Sequence, residues 1–161
     1  MTKSQCYYEI SRNNQLITQY QNEINTLNRE ISELNDTKTK VSTLKSILVN
    51  CKTTSVNRLS LTNTVMKINS KIVNKFTSNM NTLFTGATYN ESYNGLVSAI
   101  TKIEEEISKK QTQITKLENN ITQCNNTISN MNQTIRNIEA REREAARRRA
   151  EEARKRAEAA K

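Results

Sequence analysis

The chain is predicted to be all-α, an elongated antiparallel helical hairpin of coiled-coil type, and three observations lead there. Only 34% of its 161 residues are hydrophobic and 4% aromatic, with no Trp, which is too little bulk to fill a globular α/β interior. Two Gly and no Pro remove the turn chemistry that a many-stranded fold needs. The third observation is a sustained 3.5-residue apolar repeat in the second half of the chain, the signature of a coiled-coil seam.

The first arm is expected over about residues 5–83. Its stripe runs through Ile17, Tyr20, Ile24, Leu27, Ile31 and Leu34, meets Lys38 out of character, and resumes at Val41, Leu44 and Leu48. Residues 51–57 read CKTTSVN, a β-branched and polar cluster that disfavours helix and predicts a bend. Beyond it, Val65, Ile68, Ile72, Phe76, Met80 and Leu83 continue the apolar face.

A turn is expected at 84–88, close to the midpoint. Gly86 follows an apolar helical pattern as a C-terminal cap would, and Thr88 with Glu91 forms a candidate capping box for the next helix. A reversal at this point makes two arms of nearly equal length. Gly95 falls inside the strong repeat and is expected to be a tolerated helix glycine.

The second arm is expected over 89–138. Stepping alternately three and four residues from Tyr93 to Ile138 meets thirteen apolar side chains in fourteen positions, Lys110 being the exception. Leu96, Ile100, Ile103, Ile107, Ile114, Leu117, Ile121, Ile128, Met131 and Ile135 are the candidate partner-binding seam, with Cys124 on the same line. Residues 1–138 thus form one helical hairpin. Residues 139–161 contain only Ala, Glu, Arg and Lys; pairs such as Glu144 with Arg148 and Glu151 with Lys155 favour a charged helical extension.

Composition also argues against several chemistries. With no His there is no Ser-His-Asp triad, no imidazole acid or base and no His metal ligand, so no catalytic, cofactor or metal site is expected and the chain is read as a non-enzyme. Cys6, Cys51 and Cys124 are spaced unlike any zinc-ligand pair and read as small apolar residues. Glu104, Glu105 and Glu106 splay around the helix and are expected to be solvated. Five Asn-X-Ser/Thr sequons are unremarkable in so Asn-rich a chain. The net charge of +9 raises nucleic acid and membrane surfaces as partners, but the tail mixes both signs and has no aromatic residue to stack on bases. Nucleic acid is therefore the less favoured partner. The longest aliphatic run, Ile47-Leu48-Val49, is far short of a membrane span, and residues 1–14 lack the apolar core of a signal peptide. A soluble chain without a cleavable leader is expected.

Phe84-Thr85-Gly86 at the midpoint of a helical hairpin, followed by GATYNESYNGLVSAI, resembles the WXG-type small helical proteins of type VII secretion, and within them the YwqH-like branch. Phe84 stands where Trp is usual. The resemblance covers residues 1 to about 138 and implies a helical partner or targeting chaperone of an LXG-type toxin in a Gram-positive bacterium, with Phe84 and Gly86 as the turn motif. It also implies a cytoplasmic protein that is secreted without a leader. The export signal of such systems, Tyr-x-x-x-Asp/Glu, follows none of the five Tyr, so export would require a partner that supplies it.

The expected function is therefore non-enzymatic: the 93–138 stripe packs against helices of a partner toxin or WXG-type protein. The alternatives are a structural coiled-coil oligomer or spacer, and a basic protein that binds nucleic acid or a membrane surface.

Overall fold

The computed structural model describes residues 1–65 and 71–159, with side-chain surroundings for 1–61 and 71–159. The fold is all-α, with no strand among the described residues. Helix α1 spans Lys3–Val65, α2 Lys71–Thr85 and α3 Ala87–Ala159. Ile68 and the side chain of Val65, both assigned to the apolar face, lie outside the described residues, as do residues 160 and 161 of the extension.

A chain so rich in Thr and Asn is helical against its intrinsic preference. Thr hydroxyls donate to carbonyls one turn back, as Thr37 Oγ1 does to Glu33 O at 2.9 Å and Thr43 Oγ1 to Thr39 O at 2.9 Å, so groups that could compete with the helix are satisfied within it. The same device operates where a bend was expected. At 51–57 helix α1 is uninterrupted, Thr53 Oγ1 donating to Val49 O at 3.0 Å. The start of α1 is closed by a reciprocal box: Gln5 N donates to Thr2 Oγ1 at 3.3 Å and Thr2 N to Gln5 Oε1 at 2.8 Å.

The chain divides into two compact units. In the unit Leu27–Thr112, α1 and α3 meet through Glu30 with Lys110, Lys38 with Glu104, and Lys52 with the ring of Tyr89. Falling numbers on α1 meet rising numbers on α3, which is antiparallel pairing. Helix α2 lies along the last turns of α1 in the same unit, where Val56, Leu59 and Ser60 share a shallow groove with Asn74, Thr77 and Asn81.

The expected reversal at 84–88 is corrected by this register. Residues 74–81 lie beside 56–60, Tyr89 beside Lys52, and Glu104 beside Lys38. The chain thus advances in one sense along α1 on both sides of Gly86. Helices α2 and α3 both run against α1 in the same sense, and the first arm is not one helix over 5–83.

Gly86 is instead a single residue between α2 and α3, its carbonyl accepting from Asn90 N at 3.2 Å. It has no left-handed backbone; glycine is needed for space, since a Cβ there would lie 2.3 Å from Thr82 O. Thr88 lies inside the first turn of α3 and is not its cap.

In the unit formed by Met1–Thr26 and Gln113–Lys161, Lys3 Nζ reaches Glu142 Oε2 at 2.5 Å and Glu139 Oε1 at 3.9 Å. Its buried residues are Cys6, Asn13, Cys124 and Ile135. Asn13 meets its own polar need, Nδ2 donating to Glu9 O at 2.8 Å. In α3 every residue from Ala140 to Ala159 is exposed. Shielding stops at Glu139, level with Lys3 at the start of α1.

Candidate interaction surface

Two lines of shielded residues define the surface. On α3 all fourteen positions of the repeat from Tyr93 to Ile138 are buried or half-buried, including the ten candidate seam residues. On α1 the shielded positions step by three and four without a fault from Lys3 to Leu59, so the shielded residues of this helix recur with the period of seven. Only a few of these residues are fully buried. Two helices cover each other's a and d positions from one side and leave their flanks open to water.

On α1 one heptad position reads Lys3, Ile10, Ile17, Ile24, Ile31, Lys38, Lys45, Lys52 and Leu59, all half-buried. The change from isoleucine to lysine at Lys38 was visible as a single misfit in the sequence. Continuing the period of seven from Ile10 finds all three inner lysines. Each ammonium needs compensation beside the seam. Lys38 Nζ lies 2.8 Å from Glu104 Oε1, and Lys52 Nζ lies 4.2 Å from the centroid of Tyr89, a cation–π contact. Tyr89 in turn stacks on Tyr93 with centroids 6.2 Å apart.

Lys110, the misfit of the second stripe, is explained in the same way. Its side chain is only 19% exposed and its Nζ lies 2.7 Å from Glu30 Oε2, with Glu106 Oε1 at 3.9 Å. The hydrogen bond that Lys110 donates to Glu30 raises the Lys110 pKa above 10.5, against the lowering effect of desolvation. Lys3 is raised likewise, first by its hydrogen bond to Glu142. Glu104 and Glu106 remain about half exposed, as solvated carboxylates, while their oxygens reach the seam lysines. Among the described residues no three His, Cys, Asp or Glu side chains could hold a metal ion.

Several assigned positions are corrected. Leu44 is 55% exposed, and the neighbouring Lys45 takes the seam position. On α2 the shielded line is Val73, Thr77, Met80 and Phe84, whereas Ile72, Phe76 and Leu83 point to solvent at 81%, 60% and 57% exposure. A shift of one residue rotates a helix by about 100°, which separates the two sets. Cys6 and Cys124 are buried as small apolar residues, but Cys51 is exposed. Phe84 is half-buried at the end of α2, and Gly95 faces open space inside α3. Among the described residues no helix is long and apolar enough to cross a membrane.

No family model, curated protein or solved structure matches this chain.

Proposed function

We propose that this chain is a non-enzymatic coiled-coil binding protein, an antiparallel helical hairpin that holds a helical protein partner along the flanks of its seam. The observation that carries this reading is the half-closed state of the two shielded lines. A third or fourth helix laid on the flanks removes further apolar surface from water at about 25 cal/mol per Å². The narrower form of the proposal, a partner or targeting chaperone of an LXG-type toxin in type VII secretion, is supported by the aromatic-X-Gly element Phe84-Thr85-Gly86 and the helical arms around it. Against it stands the position of that element, away from the change of direction.

Coexpression with an LXG-type leader domain tests the narrower form. The expected result is coelution on size exclusion, lost in the variant Ile100→Asp with Ile107→Asp while circular dichroism stays helical. Absence of coelution with any such leader, the chain remaining a folded monomer, overturns the toxin-partner form. A stable self-assembled oligomer of the chain alone supports the alternative of a structural spacer.

A further inference from the structure

The positive charge of this protein is not spread along it. Residues 37–90 contain eight Lys and Arg and not one Asp or Glu. They carry +8, while all other residues together net only +1 of the total +9. Glu104 offsets Lys38 from outside the stretch, but Lys40, Lys71 and Lys75 are exposed on the surface. The same stretch holds seven large apolar side chains that the fold leaves in water: Leu44, Ile47, Val49, Leu61, Ile72, Phe76 and Leu83. On α2, Ile72, Phe76 and Leu83 form one stripe with Lys71 and Lys75 on its flank, while the shielded line of Val73, Thr77, Met80 and Phe84 faces elsewhere. Helix α2 is therefore apolar on two sides, and only one of them is engaged.

We propose that this stripe docks on an anionic phospholipid surface, with Ile72, Phe76 and Leu83 entering the headgroup boundary and Lys71 and Lys75 meeting lipid phosphates and carboxylates. The charge complementarity is one-sided: no acidic residue of the stretch opposes a negative surface, and each lysine near such a surface strengthens partitioning by about fivefold. A nucleic acid would use the lysines but leave three exposed apolar side chains without a role. An interfacial helix uses both. The charged tail is not the agent, because its bases are interleaved with Glu.

Vesicle sedimentation of the full chain tests the proposal. Vesicles of equal parts phosphatidylserine and phosphatidylcholine should pellet the protein, and pure phosphatidylcholine vesicles should not. Binding to the mixed vesicles should fall at least tenfold in Lys71→Glu with Lys75→Glu and equally in Ile72→Ser with Phe76→Ser, both checked for unchanged helicity. Arg147→Glu with Arg148→Glu in the tail should bind like the parent. No pelleting on mixed vesicles at low salt overturns the proposal. So does retained binding in Ile72→Ser with Phe76→Ser, or tighter binding to duplex DNA than to vesicles. Coelution with a toxin leader reports on the seam of α3 and is read separately from vesicle binding, so either proposal can fail alone.

Discussion

Glu30 on α1 and Lys110 on α3 are joined at 2.7 Å across the seam, in the one position of the α3 repeat where an apolar residue is missing. A lysine among isoleucines costs packing but helps to set register: sliding α1 by a heptad in one sense puts Thr37 in the place of Glu30 and removes the carboxylate across the seam, whereas the other sense offers Glu23. Lys110→Leu is expected to raise the melting temperature and to loosen the choice of register, visible as mixed disulfide products when single cysteines are introduced on α1 and α3. A unique register in Lys110→Leu would show that the pair does not specify alignment.

The same pair sets a response to alkali. Because the Lys110 pKa is raised above 10.5 in the folded chain, its stabilising contribution is complete below the unfolded value and is lost as pH rises through the folded one. Melting temperature measured from about pH 9 to about 12 should therefore fall more steeply for the parent than for Lys110→Leu. Parallel curves would remove the linkage.

Ile121 and Asn119 differ by two residues and by opposite surroundings, half-buried against exposed. Ile121→Asp should cost at least about 2 kcal/mol in urea unfolding, since it puts a charge on the shielded line, and Asn119→Asp should be nearly neutral. Equal losses would mean that the repeat is not the shielded face.

The sequence was most informative where chemistry and period agree. The fourteen positions from Tyr93 to Ile138 are each shielded because apolar side chains, mostly Ile and Leu, recur at 3.5 residues over that length, with Lys110 the one exception. It misled where propensity alone was used: Thr53 belongs to a cluster that disfavours helix, yet its hydroxyl bonds to Val49 O inside α1. On α2 two apolar lines coexist, so recognising Val73 and Phe84 rather than Ile72, Phe76 and Leu83 as the shielded line needed knowledge of what packs beside them. The seam lysines were hidden for another reason. A hydrophobic pattern counts Lys38 as an error, while its meaning lies in Glu104, sixty-six residues away.

The two glycines should answer alanine in opposite ways. Gly95 has nothing within 4 Å of an added Cβ, so Gly95→Ala should stabilise the chain by about 0.5–1 kcal/mol through helix propensity. Gly86→Ala drives a methyl group against Thr82 O and should destabilise it. Melting curves of the two variants beside the parent provide the check.

Thiol accessibility separates the three cysteines. Cys51 is exposed, whereas Cys6 and Cys124 are buried, so a maleimide should add once to the native chain and three times after denaturation. Rapid triple labelling of the native chain would contradict the placement of Cys6 and Cys124 on the shielded lines.

The replacement of Ile10, Ile17, Ile24 and Ile31 by Lys38, Lys45 and Lys52 along one heptad position means that a single helix is governed by two kinds of solvent response. Its isoleucine stretch is held by a force that carries a large heat capacity, weakens in the cold and yields to urea. Its lysine stretch is held in part by charge and cation–π contacts, which added electrolyte screens. Amide protection factors, referred to the intrinsic exchange rate at each temperature, should accordingly fall on cooling in the first stretch and with rising ionic strength in the second. The local opening of this protein thus has separate thermal and ionic controls laid end to end on α1.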